Sequence, residues 1–228
     1  MGTTNERNIM SRKKITAVIP IRKGSQRIPD KNFKDFYNGK NLLELKIESL
    51  KQIPLIDEII VNTDSDDAIA TAKSNNISWF KRDEYFASSK CTNTEHWYNI
   101  AETTDSDLIM HVPCTAPFIK TETYYDLINR FMLSENDSAN TVSLVKEYLW
   151  LNNKPLNYDI NKVQNSQDLP DVMKLTFGIS IISRDIMMQR KNVVGKDPMF
   201  YIVSDEESID IDTPLDFEFA KHLYKRRK

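Results

Sequence analysis

A dense group of polar side chains follows the first apolar segment of this 228-residue sequence. The β-rich run Ile15–Ile21 ends at the turn Arg22-Lys-Gly-Ser-Gln-Arg27. In an open parallel sheet, ligands bind at the carboxyl ends of the strands, which is where this turn would lie. A glycine lets the backbone approach a ligand closely, and exposed N–H groups in such a turn form an anion-binding concavity. The cluster therefore predicts a polyphosphate site built from Arg22, Gly24, Ser25, Arg27 and Lys31.

The glycine spacing of this turn differs from that of two common nucleotide-binding loops. The chain contains neither GxxxxGK(S/T) nor GxGxxG. This argues against a Walker loop and against a bare NAD-binding oxidoreductase. The alternative interpretation is a solvated basic loop, which we favour for Lys23 or Lys34 taken alone. The whole cluster at a strand end favours phosphate binding.

A second candidate group lies near the other end of the chain. The stretch Ser208-Ile-Asp-Ile-Asp212 alternates, which predicts a strand with Asp210 and Asp212 on one face. Two adjacent carboxylates repel each other unless a positive charge lies between them. Mg²⁺ bridging phosphate oxygens would satisfy both. The alternative is that Asp212 caps the helix predicted from Pro214 while Asp210 is solvated.

Apolar runs alternate with helical patterns along most of the chain. This β-α-β-α order predicts an α/β fold, a three-layer α/β/α doubly wound domain with a mostly parallel sheet. We expect residues 1–13 to be a flexible leader and residues 14–228 to form a single domain. Predicted strands are Ile15–Ile21, Asp57–Asn62, Ile77–Phe80, Asp107–Val112, Phe177–Ser183 and Phe200–Val203. Predicted helices are Leu42–Ile53, Asp66–Asn75, Asn93–Thr103, Thr121–Leu133, Arg184–Arg190 and Pro214–Tyr224.

The alternating pattern loosens after Ala139. TVSLVKEYLWL has an extended pattern, and the polar connection Asn152–Asp171 is long for an ordinary loop. We therefore expect residues 140–176 to form a small dimerisation arm, since a symmetric homodimer would bury such an extended segment.

Composition and charge limit the classes of partner. The chain is 40% hydrophobic and 28% charged, with a net charge of -2, which is ordinary for a soluble protein. This balance gives no reason to expect a nucleic acid or a membrane as partner. The longest apolar runs are too short to span a bilayer, and the leader lacks the apolar segment of a secretory signal. Two isolated cysteines favour a reduced, cytoplasmic protein.

The stretch PIRKGSQRIPDKN resembles the nucleotide-binding signature of the acylneuraminate cytidylyltransferase (CMP-sialic acid synthetase) family, which is related to the CMP-Kdo synthetases. VNTDSDDAIATAK and SIDIDTPLDFEFA are similar to later segments of that family. The resemblance implies a nucleotide-diphospho-sugar transferase-like fold. It also implies transfer of CMP from CTP to sialic acid or a related α-keto acid sugar, release of pyrophosphate, Mg²⁺ as cofactor and a homodimer.

The resemblance also assigns roles to individual residues. It implies catalytic roles for Arg22 and Lys31 on the triphosphate, and Mg²⁺ coordination by Asp210 and Asp212. It places the cytosine pocket around Arg82 and the turn from Cys91 to Asn93. The implied nucleotide-binding residues are Arg22, Gly24, Ser25, Arg27, Lys31, Asn32, Arg82, Cys91 and Asn93.

The acceptor half departs from the family pattern. Val112 stands in place of an amide, and Ser166-Gln-Asp-Leu-Pro170 lacks the arginine expected near the acceptor carboxylate. The alternatives are therefore Kdo or a small carboxylate or phosphonate as acceptor, and a catalytically silent nucleotide-binding regulatory module. Retention of both aspartates argues against the silent module. Candidate acceptor-binding residues are Thr115, Lys146 and Gln167, with Lys174 and His111 as weaker substitutes for the missing groups.

Overall fold

The computed structural model describes residues 12–25 and 27–227. The predicted leader at residues 1–13 lies outside the described residues except for its last two positions. Arg12 already belongs to the folded part, because its guanidinium pairs with Asp57 at 2.5 Å. No helix in the described ranges is both long and apolar enough to cross a membrane.

A seven-stranded sheet forms the centre of the molecule, with the strand order β3-β2-β1-β4-β8-β5-β9. A separate two-stranded hairpin, β6 and β7, lies in the segment between β5 and β8. The strands are β1 Ile15–Ile21, β2 Glu58–Thr63, β3 Ser78–Lys81, β4 Leu108–His111, β5 Ser138–Val145, β6 Trp150–Leu151, β7 Lys154–Pro155, β8 Val172–Ser183 and β9 Pro198–Ile202.

Helices follow most of the strands and begin at clear capping residues. Asn41, Thr92 and Thr213 each form a capping box with the residue three positions later. Pro214 occupies the first turn of the last helix, where its missing N–H has no cost. The helices are α1 Leu42–Lys51, α2 Asp66–Ser74, α3 Glu84–Ala87, α4 Asn93–Thr103, α5 Thr121–Leu133, α6 Arg184–Arg190 and α7 Pro214–Arg226.

The sheet is mostly parallel, as predicted. Among the described strands, four pairings are parallel, and β8 is antiparallel to both of its neighbours, β4 and β5. The sequence pattern did not indicate this reversal, because an apolar strand has the same composition in either direction.

Helices cover both faces of the sheet, which confirms the three-layer prediction. Alternate residues of β1 point to opposite faces: Ala17 and Ile19 enter the larger core, and Val18 enters the smaller one. Apolar residues of α1, α5 and α7 complete the larger core, and those of α4 and α6 complete the smaller one. The two cores fix the sheet between its helices and so fix the ends of its strands.

The predicted strand at residues 208–212 is wrong. No strand occurs there; the segment follows a turn at 205–208 and runs irregularly into α7. The Ile211 N–H donates to the Thr115 carbonyl at 2.9 Å, which ties this segment to the loop after β4. The cap of α7 is Thr213, so the alternative role of Asp212 as helix cap is also excluded.

Strand β8 carries a large bulge opposite Thr141. Asn140 pairs with Ser180 and Val142 pairs with Leu175, so four residues of β8 lie opposite a single residue of β5. Phe177, within the bulge, adopts a left-handed conformation with φ of 54°. The bulge moves Phe177 out of the regular pleat and towards the carboxyl end of β4.

The range predicted as an arm has two parts. Residues 140–145 and 172–176 belong to strands β5 and β8 of the central sheet. Residues 146–171 leave the sheet and contain the β6–β7 hairpin and a 3₁₀ turn at Ser166–Asp168. This excursion, residues 146–171, is called the arm below. Its role in dimerisation stays a prediction.

Candidate active site

The first polar turn lies at the edge of the sheet where β1, β2 and β4 all end. These strands are parallel neighbours, so their carboxyl ends meet there. The Lys23 N–H donates to Asp64 Oδ1 at 2.7 Å, which ties the turn to the residue that follows β2. Gly24 adopts φ of 76°, a conformation that other residues rarely tolerate, and open space surrounds its missing side chain. The turn is therefore shaped by its backbone, with its concave side open.

A cavity of about 420 Å³ opens beside this turn, and we call it the basic cavity. It is lined by residues from the first turn, from the segment between β3 and α4, and from the segment after β4. Eight of the nine predicted nucleotide-binding residues line it, together with the predicted acceptor residue Thr115; Gly24 lies in the adjoining turn. The eight are Arg22, Ser25, Arg27, Lys31, Asn32, Arg82, Cys91 and Asn93.

Two cations connect the first turn to the segment before α7. Lys31 is 9% exposed, and its ammonium donates to the Ile211 carbonyl at 2.6 Å. Arg27 pairs with Asp212 at 2.9 Å. Burial lowers the pKa of Lys31, and the charges of Asp212 and Asp210 act in the opposite direction. The two segments predicted to carry chemistry thus meet in space although they are about 180 residues apart.

A second cavity, of about 480 Å³, contains the two aspartates, and we call it the acidic cavity. Three contacts join it to the basic cavity: Arg27 with Asp212, Thr115 with Asp210, and the ring of Trp97 with that of Phe177. The two cavities are therefore adjacent, and we refer to them together as the cleft. The acidic cavity is lined by Lys174, Leu175, Thr176, Phe177, Ser208, Ile209, Asp210, Asp212, Asp216 and Phe219.

The carboxylates of Asp210 and Asp212, where the two cavities meet, are suitable ligands for a hard divalent cation. Asp210 is exposed on the cavity wall, but nearby protein atoms still partly desolvate its carboxylate, and this desolvation raises its pKa; a hydrogen bond from Thr115 opposes the shift and Asp212 adds to it. A cation would remove that cost. No group of three or more metal-binding side chains occurs among the described residues. Mg²⁺ commonly uses one or two carboxylates and takes its other ligands from phosphates and water. Asp210 and Asp212 match this pattern.

Arg82 lines the basic cavity, as its predicted role requires, and it also makes hydrogen bonds within the protein. It is 5% exposed, and its Nη2 donates to the main-chain carbonyls of Ile21 and Asn62 at 2.5 and 2.8 Å. Burial lowers its pKa to about 10. Arg82 therefore joins the ends of β1 and β2 and contributes positive potential at the cavity wall. Its guanidinium fork is already occupied by the protein.

Two histidines of the basic cavity were missed or given another role. His96 Nδ1 lies 3.3 Å from Arg82 Nη1 and must accept, because a guanidinium only donates. Burial and the nearby arginine lower the pKa of His96 to about 3 and that of His111 to about 4. Both imidazoles are therefore neutral at pH 7. Their positions in the chain could have indicated the site. His111 is the last residue of β4, at the edge of the sheet where ligands bind, and His96 lies in the first turn of α4.

Two predicted acceptor residues lie away from the cleft. Lys146 donates to the Leu169 carbonyl at 2.6 Å and pairs with Asp171 at 2.5 Å, within the arm. Gln167 is exposed in the 3₁₀ turn. Neither lines the basic or the acidic cavity. Their sequence positions indicated the arm correctly but could not show which way it extends from the sheet.

The cysteines differ in accessibility. Cys114 is buried, and burial raises its pKa to about 12, so its thiol has no thiolate character at neutral pH. Cys91 lies on the wall of the basic cavity, and both thiols are unpaired.

Comparisons with known proteins agree with this geometry. A family model described as Cytidylyltransferase matches residues 16–227. A pseudaminic acid cytidylyltransferase of Campylobacter jejuni is 28% identical over 227 residues, covering 91% of this chain and 95% of that protein. An N-acylneuraminate cytidylyltransferase of Escherichia coli is 26% identical over 229 residues, covering 95% of this chain and 53% of that protein. The solved structure of a CMP:2-keto-3-deoxy-manno-octonic acid synthetase complexed with CTP superimposes with a TM-score of 0.69 at 16% identity, covering 95% of this chain and 100% of the other.

Proposed function

The chain belongs to the cytidylyltransferase family, and from this premise we propose that its cleft transfers CMP from CTP to a sugar acid and releases pyrophosphate. One observation carries the proposal. The basic turn after β1 and the two aspartates before α7 are joined by Lys31 and Arg27 at the mouth of one cleft. Nucleotidyl transfer needs this combination, because it depends on positioning the phosphates and neutralising their charge.

The triphosphate is proposed to bind along the first turn. Arg22 and Arg27 are exposed cations on the cavity wall, and Lys31 interacts with the charges of both arginines and both aspartates. The main chain at Gly24 and Ser25 offers N–H groups without a side chain in the way. These groups bind and orient the phosphates and stabilise the charge that develops on the leaving pyrophosphate.

The cytosine is proposed to bind in the inner part of the basic cavity. The side-chain oxygen of Asn32 is buried on the cavity wall and has no hydrogen-bond partner among the described residues. The exocyclic amine of cytosine is a donor that would satisfy it. Ser88, Cys91 and Asn93 come from the loop that closes this side of the cavity. Buried acceptors are costly when unpaired, so Asn32 favours a ligand with a donor at this place.

The reaction is proposed as an in-line displacement. An acceptor hydroxyl oxygen forms a bond to the α-phosphorus of CTP and releases its proton to water, while the bond from that phosphorus to the β-phosphate oxygen breaks and pyrophosphate leaves. Lys31 and Arg22 hold the phosphate oxygens in place, and Lys31 is kept there by its hydrogen bond to Ile211. Mg²⁺ held by Asp210 and Asp212 would polarise the phosphate and acceptor oxygens.

The acceptor is proposed to occupy the acidic cavity beside the α-phosphate. Lys174 lies on its wall, is exposed, and makes no ion pair with the described residues. It can pair with the acceptor carboxylate in place of the arginine that the chain lacks. Sugar acids are favoured over small phosphonates because the relatives named above act on sugar acids and because the cavity is large.

The silent regulatory module remains the second candidate function. The motivation for it is that Lys146 and Gln167, two of the predicted acceptor residues, lie outside the cleft of a single chain. The raised pKa of Asp210 argues against it, because a module without turnover would gain nothing from keeping a disfavoured carboxylate beside Asp212.

The arm is proposed to form a homodimer in the cytoplasm. Its exposed apolar side chains form an interface-like surface, and the resemblance noted in the sequence implies a dimer. In a dimer, the arm of one chain could bring Lys146 to the partner's cleft. The exposed apolar residues of the arm are Tyr148, Trp150, Leu151, Leu156, Ile160 and Val163.

The proposed reaction is tested by measuring pyrophosphate release with CTP, Mg²⁺ and a panel of acids. The panel contains N-acetylneuraminate, pseudaminate, 2-keto-3-deoxy-manno-octonate and a small phosphonate. We expect release with a sugar acid and a loss of about 100-fold or more in Asp212→Asn, because the metal contributes several kcal/mol. Glu218→Gln, which changes an exposed carboxylate on α7, is the matched control and should keep full activity.

Other outcomes separate the candidates. CTP binding by calorimetry without turnover of any acid would favour the silent module. Equal activity of wild type and Asp212→Asn would exclude the assigned carboxylate role. The dimer is tested separately by sedimentation: Trp150→Glu should shift the protein towards monomer, and Leu133→Glu, at the exposed last residue of α5, should not.

A further inference from the structure

An aromatic contact lies where the two cavities meet. Trp97, on α4, lines the basic cavity, and Phe177, in the bulge of β8, lines the acidic cavity. Their ring centroids are 6.3 Å apart with 30° between the ring planes. Neither ring has a role in the proposed binding of phosphates or of a metal ion. The contact therefore places an apolar surface directly beside the charged groups of the cleft.

Phe177 keeps this position at a cost in conformational energy. A bulky residue with φ of 54° is an outlier, and such conformations cost on the order of 1–3 kcal/mol. The ring is also incompletely packed, because Phe177 is 37% exposed. A strained and exposed aromatic residue on a cavity wall is better explained by a ligand than by the core.

Two buried threonines hold the bulge in this shape. The Thr176 hydroxyl donates to Thr141 Oγ1 at 2.8 Å, and Thr141 Oγ1 accepts the Ile179 N–H at 3.0 Å. Thr141 is 0% exposed and Thr176 is 6% exposed. Next to them, a Cβ on Gly178 would lie 2.8 Å from Ile119 Cδ1, so the backbone packs tightly there. The bulge is thus fixed by hydrogen bonds and packing, and Phe177 is fixed with it.

The acidic cavity consequently has both charged and aromatic side chains on its wall. Asp210 and Asp212 lie at the junction with the phosphate-binding turn. Phe177 and Phe219 are exposed on the wall of the same cavity. A molecule that carries both polar groups and an apolar substituent matches such a lining.

We propose that Phe177 determines acceptor specificity: its ring, backed by Trp97, contacts an apolar substituent and favours acylated sugar acids over fully hydroxylated ones. The methyl of an acylamino group or of a deoxygenated sugar end is a substituent of this kind. Thr141 and Thr176 are positioning residues that hold the ring in place. The inference rests on the proposed function and names the acceptor class for it.

The test compares acylated and unacylated acceptors in wild type and Phe177→Asn. Asparagine adopts the left-handed conformation readily, so the bulge should persist without the ring. Acylated acids are N-acetylneuraminate, pseudaminate and N,N′-diacetyllegionaminate; unacylated acids are 2-keto-3-deoxynononate and 2-keto-3-deoxy-manno-octonate. In wild type we expect kcat/KM to favour the best acylated acid by about tenfold or more. In Phe177→Asn the KM for that acid should rise by about tenfold while the KM for CTP stays unchanged.

Conservative variants separate the role of the ring from general damage. Phe177→Tyr keeps the ring and should keep the preference. Thr176→Val removes the hydroxyl and should lower the preference, whereas Thr176→Ser should restore it. Phe200→Asn changes an exposed aromatic residue on β9, outside both cavities, and should leave the preference unchanged.

Three results would overturn the inference. A wild-type preference for the unacylated acids, or a preference that Phe177→Asn does not alter, would overturn it while leaving the proposed reaction intact. Absence of turnover with every acid would overturn the proposed function and, with it, the specificity inference.

Discussion

At the residue scale, the surroundings of Asp210 disfavour the charge that its proposed role requires. Partial desolvation and the neighbouring Asp212 disfavour its charged form, which raises its pKa, yet the proposed chemistry requires that charge. The unfolded chain does not impose this penalty. At pH values between the ordinary pKa of 3.8 and the raised pKa, the folded state therefore binds more protons than the unfolded chain does. Above this range the ionised carboxylate lowers the free energy of unfolding.

We therefore expect Asp210→Asn to lower activity and raise stability. The amide carries no charge and can still accept the hydrogen bond from Thr115. Pyrophosphate release should fall by about 100-fold or more. The unfolding temperature, measured without divalent cations, should rise. Asp205→Asn, an exposed change in the turn just before, should alter neither quantity, and a lower unfolding temperature for Asp210→Asn would contradict the electrostatic argument.

The sequence predicted much of the site at this scale because the residue types are specific. Arg22, Lys31 and Asn32 were assigned to one ligand, and all three line the basic cavity. Their catalytic and binding roles stay predictions. Lys146 and Gln167 could not be placed, since one chain does not show where the arm meets a partner. Phe177 was missed because its exposure arises from a bulge, and a bulge depends on the pairing of two strands.

At the scale of elements, the strand-to-loop junction after β1 depends on its backbone conformation. Gly24 and Gly39 both have φ of 76°, and a Cβ at either position would meet no atom within 4 Å. The two positions differ in location: Gly24 belongs to the turn beside the basic cavity, and Gly39 lies in a turn held by Asp35.

These two glycines give a matched pair of substitutions. Gly24→Ala and Gly39→Ala should each destabilise the fold by about 1 kcal/mol, the cost of a left-handed conformation for alanine. Gly24→Ala alone should raise the KM for CTP, by about tenfold or more, because a small displacement of the turn moves the phosphates. Urea unfolding and steady-state kinetics measure both effects. Equal CTP kinetics in the two variants would show that the turn does not bind the nucleotide.

Sequence periodicity predicted the elements best where local signals agreed. The bounds of β1, α4, α5 and α6 were predicted to the residue, because apolar spacing coincided with capping residues or strand-breaking turns. The predicted strand at 208–212 was wrong because alternation alone does not supply a neighbouring strand to pair with. The first half of β8 was also missed: residues 172–176 are polar and apolar in turn, and their strand character comes from pairing with β5.

At the scale of the whole molecule, the cleft makes stability depend on pH. His96 and His111 have an ordinary pKa of 6.5, lowered in the fold to about 3 and about 4. Below pH 6.5 the unfolded chain binds these two protons while the folded protein does not. Stability is therefore lost as pH falls from 6.5 towards those lowered values.

The double variant His96→Gln/His111→Gln should lose most of this dependence. Between pH 7.5 and 5.5, wild type should lose about 1 kcal/mol of unfolding free energy for each histidine. Urea unfolding at the two pH values measures the difference. His222→Gln changes the exposed histidine on α7 and should keep the wild-type dependence. The same slope in the double variant and in wild type would show that other groups control acid unfolding.

The contact of Lys31 with Ile211 also has a consequence for the order of events during protein synthesis. The partner of Lys31 lies 180 residues further along the chain, and the partner of Arg27 lies 185 residues further. At typical elongation rates, a ribosome needs on the order of ten to forty seconds to add them. Throughout that interval the nascent chain carries a cationic turn without its carboxylates. The growing polypeptide can therefore complete β1 early, but it cannot assemble the proposed catalytic centre until translation has passed Asp212.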